Sequence, residues 1–272
     1  MILEGEELRK FQLTLLELIC EVDRVCRKNG IEYSIDGGTL LGQVRHGGFI
    51  PWDDDADIVF FRKEYKKFYR ACKKDLDKSR FFLQDYRTDP EYPWGYAKLR
   101  LKGTEFIQPG QEHLKFHKGI YIDLFIYDQV PDNPVLRRIH YAACTAIRKC
   151  QYAAVGKLHE KTKLKRAWYG LLDCVPKRLL FRTLEAMAAH TNRGRTELVR
   201  HATYPYQRKE AKYGLPRVAF DGYEDCEFEG KTLRRMKHYD EYMKVLYGDY
   251  MKLPPKEKQI GHLEVGSIKY SI

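Results

Sequence analysis

The residues best suited to do chemistry form one short run, Asp53-Asp54-Asp55-Ala56-Asp57. Alternation along a strand would put Asp55 and Asp57 on one face, with Asp53 continuing the row. Carboxylates this close repel one another, and a divalent cation between them makes their ionised forms tolerable. Magnesium or manganese suits the set, since such ions combine a few carboxylates with phosphate oxygens and water. A further acid, Asp123, stands in the apolar run Gly119-Ile120-Tyr121-Ile122-Asp123-Leu124-Phe125. A lone carboxylate there costs several kcal/mol unless a metal or a cation such as Lys98 or Arg100 offsets it. The expected metal ligands are Asp53, Asp55, Asp57 and Asp123, and the expected catalytic set is Asp55, Asp57 and Asp123.

Two simpler readings of the acids compete. A solvated acid cluster fits poorly, because the run leads straight into Ile58-Val59-Phe60-Phe61, the mark of a buried strand. A calcium loop counted from Asp53 fails at its sixth position, where the sharp turn needs glycine and the chain has Ile58.

Upstream, Asp36-Gly37-Gly38-Thr39 joins a short strand to a helix start. Glycines let a phosphate approach the backbone, where exposed N–H groups and the helix dipole stabilise its charge. Gly37, Gly38 and Thr39 are therefore expected at phosphate, with a ligand-free tight turn as the plainer reading. Arg45, Lys98 and Arg100 are expected to neutralise a diphosphate. Trp52, Tyr92, Trp94 and Tyr96 lie near the acids in sequence. Aromatic faces hold quaternary ammonium groups within about 6 Å, so Trp52 and Trp94 are expected at substrate, against core packing as the alternative.

The elements that must carry these residues follow from periodicity. Leu8, Phe11, Leu15, Leu18, Val22 and Val25 recur at spacings of three and four, which predicts a helix ending at Asn29-Gly30. Strands are expected at 31–35, 55–61, 81–86, 96–102, 104–107 and 119–127. A short helix is expected from Thr39, capped by its hydroxyl, and another through Tyr65, Phe68, Tyr69, Cys72 and Leu76. The 96–102 strand is expected to be two-faced, with Lys98 and Arg100 opposite Ala97 and Leu99. Residues 135–192 read as helical, divided at Pro176, and a last helix is expected around 231–246.

The chain has 272 residues, 43% hydrophobic and 32% charged, with no apolar run near the roughly 20 residues needed to span a bilayer. An acidic start and seven scattered cysteines without a Cys-x-x-Cys pair predict neither a secretory signal, a disulfide framework nor a zinc site. A cytoplasmic protein is expected. The net charge of +11 favours acidic partners, and residues 133–213 are the basic part. A basic nucleic-acid-binding protein is one such reading. No zinc knuckle, RRM-type aromatic motif or repeated basic-aromatic pattern supports it, so no nucleic acid is expected. Lys165, Arg166, Lys177 and Arg178 beside Trp168, Leu171 and Leu179 suit helices lying on anionic membrane at its inner face. A core helix with a basic outer face competes with that.

A glycine turn, acids entering one strand and a further acid within another are together the general pattern of nucleotidyltransferase-fold enzymes. The resemblance sharpens over Ile35-Asp36-Gly37-Gly38-Thr39-Leu40-Leu41-Gly42, His46-Gly47-Gly48-Phe49-Ile50-Pro51-Trp52-Asp53, His117-Lys118-Gly119-Ile120 and Tyr247-Gly248-Asp249-Tyr250. These segments resemble the LicD family of phosphocholine transferases, whose sugar-phosphate relatives include the fukutin-related proteins. The likeness covers residues 8–132 and about 237–262 and hardly touches the middle. It implies a mixed α/β (α+β) fold, a nucleotidyltransferase-type sheet flanked by helices with a helical insertion. The expected parts are a catalytic core at 1–132, an insertion at 133–200 and a returning segment at 201–272. It also implies transfer of phosphocholine from CDP-choline to a glycan or lipid-linked glycan hydroxyl, with CDP-ribitol and CDP-glycerol as alternative donors. His262 is expected to support the acids.

Overall fold

The computed structural model describes residues 2–206 and 208–271. Helix α1 (Gly5–Lys28) buries Leu8, Phe11, Leu15, Leu18, Val22 and Val25 as a single stripe and exits through Gly30, whose φ is +60°. Each such side chain removed from water stabilises by about 1.5–3 kcal/mol before chain entropy is set against it. The stripe fixes α1 on the sheet. Then come β1 (Ser34–Ile35), α2 (Gly37–His46), β2 (Asp57–Phe61) and α3 (Arg62–Asp75). Strands β3 (Phe81–Gln84), β4 (Ala97–Leu101), β5 (Glu105–Ile107) and β6 (Tyr121–Val130) follow.

The main sheet runs β1-β2-β6-β4-β3. Among the described strands only β2 and β6 pair in parallel, and their register sets Asp57 opposite Asp123. Strand β6 is ten residues long and pairs with β2 on one side and with two strands on the other. Its first half pairs with β4, and its second half with β7 (Leu198–His201), which in turn pairs with β8 (Leu215–Pro216). This is a mixed α+β fold. Between β6 and β7 the chain makes α4 (Pro134–His159), α5 (Lys163–Leu172) and α6 (Lys177–Thr191). Asn133 starts α4 by accepting the N–H groups of Val135 and Leu136, with Pro134 in the first turn. Residues 198–200, expected at the end of the insertion, belong to the main sheet.

The C-terminal part departs most from expectation. Residues 231–236 are not helix but the second arm of a hairpin, β9 (Tyr223–Phe228) with β10 (Lys231–Met236). Two successive left-handed residues, Glu229 at φ 53° and Gly230 at φ 69°, make the two-residue turn that suits strand twist. Glutamate is an uncommon choice for the first of them, which hid the turn. Helix α7 (Tyr239–Tyr247) is correspondingly short. Strand β11 (Ser267–Lys269) pairs with β5, so the tail closes back on the core. No described helix is long and apolar enough to cross a membrane.

Candidate active site

Four backbone N–H groups, three bonded to carbonyls and one to a side-chain hydroxyl, hold the acids in place. Asp36 N–H donates to the Asp57 carbonyl and Asp123 N–H to the Ala56 carbonyl, each at 2.9 Å. Asp57 N–H donates to Thr39 Oγ1 at 2.9 Å, and Asp53 N–H closes a turn on the Ile50 carbonyl at 2.9 Å. The Thr39 hydroxyl therefore does not cap α2, which begins earlier, at Gly37 with Asp36 before it. Only Asp57 of the acid run lies in a strand; Asp53, Asp54 and Asp55 occupy the loop ahead of it. Their convergence comes from loop packing rather than from strand alternation.

The glycines are where the acids need room. A Cβ at Gly37 would sit 3.0 Å from Asp57 Oδ2, and one at Gly38 would sit 2.9 Å from Asp53 Oδ2. Gly37 also has φ +51°, which side chains rarely adopt. Both glycines and the N-terminus of α2 border a cavity of about 420 Å³ that also holds Asp53, Asp55 and Asp57. A second cavity of about 480 Å³ holds Asp55, Asp57 and Asp123. Asp55, Asp57, Phe125, Tyr204 and His262 line both, so the two cavities meet at the acids.

The acids outnumber the cations beside them, Lys98 and His262. Burial, followed by the charge of Asp55, holds the Asp53 carboxyl well above the usual range. Asp57 is raised well above it by burial, then by Asp55 and Asp123. Asp123 is also raised by burial, against the pull of Lys98, whose Nζ lies 2.5 Å from Asp123 Oδ1. Among the described residues, Asp53 Oδ2 is buried with no hydrogen-bond partner. His262 bridges the loop, with Nδ1 3.0 Å from Asp54 Oδ1 and Nε2 3.0 Å from Asp55 Oδ2. Its hydrogen bonds to Asp54 and then Asp55 push it up to about 11. Asp53, Asp54 and His262 present ligand atoms within 4.8 Å of one another. Raised carboxyls and an orphaned carboxylate oxygen fit a divalent cation.

The other expected residues divide. Trp94 and Lys98 line the second cavity. Thr39 is fully buried with its hydroxyl committed to Asp57, so it offers nothing to a phosphate. Arg100 is walled off: Nε meets Gln84 Oε1 at 2.5 Å and Nη1 the Gly119 carbonyl at 2.6 Å, under Tyr121 and Phe116. The supposed polar face of β4 is thus buried beneath aromatic rings, which alternation alone does not reveal. Arg45 and Trp52 line neither cavity. Arg45 Nη1 donates to the Tyr250 carbonyl at 3.2 Å, though its charge still acts on Asp53. Trp52 stands edge-on to His46 with ring centres 6.4 Å apart.

Sequence reasoning missed a set of tyrosines around the first cavity. Tyr127 and Tyr242 both donate to Asp36, whose burial holds it at about 6. Tyr204, Tyr206 and Tyr247 complete the wall with Arg208. Tyr127 stands four residues after Asp123 on β6, and Tyr247 stood in a quoted motif; Tyr204 and Tyr206 come from the loop between β7 and β8 and Tyr242 from α7, which nothing local in sequence ties to the acids.

Residues 30–139 match the family described as LicD/FKTN/FKRP, nucleotidyltransferase domain. The chain carries a LicD-family domain. It is 29% identical over 268 residues to the lipopolysaccharide cholinephosphotransferase LicD of Haemophilus influenzae, covering 94% of this chain and 95% of that protein. An uncharacterized protein of Rickettsia prowazekii is 29% identical over 124 residues, 34% of this chain and 47% of its own length. Human ribitol 5-phosphate transferase FKRP is 46% identical over 35 residues, 13% of this chain and 7% of that protein. The LicD domain ends just inside α4 and holds every acid of the cluster, while His262 and the tyrosines of α7 lie beyond it.

Proposed function

We propose that this chain is a LicD-type phosphotransferase that moves phosphocholine from CDP-choline to a hydroxyl of a glycan or lipid-linked glycan, releasing CMP. The observation that carries the reading is the junction of two cavities on Asp55 and Asp57, with Asp123 directly across the β2–β6 pair. A group-transfer enzyme needs two substrates to meet at one charged point, and this is such a point.

The first cavity suits the nucleotide half. Gly37 and Gly38 open the N-terminus of α2 to a diphosphate, Arg208 adds charge, and the tyrosines offer faces for a base. The second cavity takes the alcohol and the acceptor, with Trp94 and Tyr96 as aromatic faces for a quaternary ammonium. Asp53, Asp55, Asp57 and Asp123 would hold magnesium, which supplies charge neutralisation at the transferring phosphoryl group. The acceptor oxygen bonds to the choline-bearing phosphorus as that phosphorus loses its bond to the bridging oxygen of CMP. One of Asp55, Asp57 and Asp123 takes the hydroxyl proton. His262 holds Asp54 and Asp55, and Lys98 holds Asp123.

A polyol donor is the second reading, and Gln108, Gln111 and Glu264 in the second cavity favour it, since they suit the hydroxyls of ribitol or glycerol. Phosphorus NMR with magnesium and each of CDP-choline, CDP-ribitol and CDP-glycerol decides. CMP appearing fastest from CDP-choline supports the proposal. Faster turnover of a polyol donor overturns the donor assignment, and silence with all three overturns the reaction class.

A further inference from the structure

The net charge of this chain is confined to one stretch. Residues 133–200 hold 15 Lys and Arg against 4 Asp and Glu, while all other residues carry 34 of each sign. Inside that stretch α5 has no buried residue. At about 100° per residue its Leu164, Ala167, Trp168 and Leu171 share one face. Lys163 and Lys165 flank that face on its two sides, and Tyr169 and Gly170 lie opposite.

The helix is mounted with the apolar side outward. Tyr169 packs on α4, its ring centre 5.4 Å from that of Tyr152 and its edge so close to Gly156 that a Cβ there would meet it at 2.7 Å. Arg166 Nε donates to the Glu160 carbonyl at 2.7 Å. Leu164, Leu171 and Trp168 are left 83%, 63% and 51% exposed. A helix at a protein surface ordinarily turns such residues to the core, so this face calls for a non-aqueous partner.

We propose that α5 lies in the surface of an anionic membrane, with Leu164, Trp168 and Leu171 entering the boundary of the acyl chains. Lys163 and Lys165 then reach lipid phosphates from either edge, keeping their stems on apolar ground. Indole prefers the same depth. Ten residues are too few to cross, so the helix lies flat. A second copy of the chain fits less well, because a two-fold contact would set lysine rim against lysine rim, with Glu160 already paired to Lys165 at 3.5 Å. The placement also connects to the cleft: α4, on which α5 is mounted, carries Tyr152 and Val155 into the second cavity.

The test needs no turnover. The full chain should float with vesicles of phosphatidylcholine plus phosphatidylglycerol, not with phosphatidylcholine alone, and added salt should weaken binding. Lys163→Gln and Lys165→Gln should each weaken it about fivefold, and Leu164→Ser with Trp168→Ser and Leu171→Ser should abolish it. The triple variant should unfold near the wild-type temperature, since these three side chains are exposed while Tyr169 keeps α5 on α4. In a measurement that removes no anchor of charge, brominated lipid should quench wild-type tryptophan fluorescence, and Trp168→Phe should remove that quenching while binding persists. Absence of binding to anionic vesicles, or quenching unchanged in Trp168→Phe, overturns the proposal. So does a wild-type dimer that the triple variant converts to monomer, which would assign the face to a second copy.

Discussion

The Lys98 ammonium lies 2.5 Å from Asp123 Oδ1 and 3.3 Å from the centre of the Tyr121 ring. Burial nevertheless pushes Lys98 down to about 8, so desolvation outweighs its partner. Such a pair contributes little net stability, but breaking one side strands a buried charge. Lys98→Met should cost about 3–5 kcal/mol in urea unfolding without metal. Lys98→Met combined with Asp123→Asn should recover most of that. A loss below about 1 kcal/mol for the single variant, or no recovery in the double, would show that Asp123 does not depend on Lys98.

Metal binding should release protons. Asp53, Asp57 and Asp123 all have carboxyls raised by burial and by their acidic neighbours, so the metal-free protein holds protons that a cation displaces. The sign follows: deprotonated carboxylates bind metal, so magnesium affinity rises with pH until these groups are ionised. Calorimetric titration in two buffers of different ionisation enthalpy measures it. Heats independent of the buffer, with affinity flat across pH, would refute it.

The two tryptophans should behave differently. Trp94 faces the second cavity, whereas Trp52 packs beside His46 away from both. A desolvated cation–aromatic contact is worth about 2 kcal/mol, so Trp94→Ala should weaken CDP-choline on the order of tenfold or more and spare CDP-ribitol. Trp52→Ala should affect all donors equally. Equal losses across donors for Trp94→Ala would reduce that ring to a packing role.

The acids were legible because their chemistry is local. A carboxylate run entering Ile58-Val59-Phe60-Phe61, with glycines upstream, leaves few alternatives to a charged site on a sheet edge. Helix α1 was legible for the same reason, its whole stripe being visible in one window. What failed was long-range. Arg100 looked like a phosphate ligand because sequence does not show which strand face aromatic rings will cover. His262, expected beside the acids only through its place in the tail motif, does reach Asp54 and Asp55, whereas the tyrosines of α7 and of the loop after β7 arrive by topology alone. The 223–236 hairpin was lost to a single residue, Glu229, standing where asparagine or glycine usually marks the turn.

The most direct test of the acid cluster is magnesium-dependent CMP release by Asp57→Asn and Asp123→Asn, followed by phosphorus NMR beside wild type. Each substitution removes one charge from a crowded site and keeps its shape, so thermal unfolding should show both variants folded. The account predicts that release falls by at least about a thousandfold in each at saturating magnesium, roughly 4 kcal/mol of transition-state stabilisation. Either variant turning over within a fewfold of wild type would contradict it.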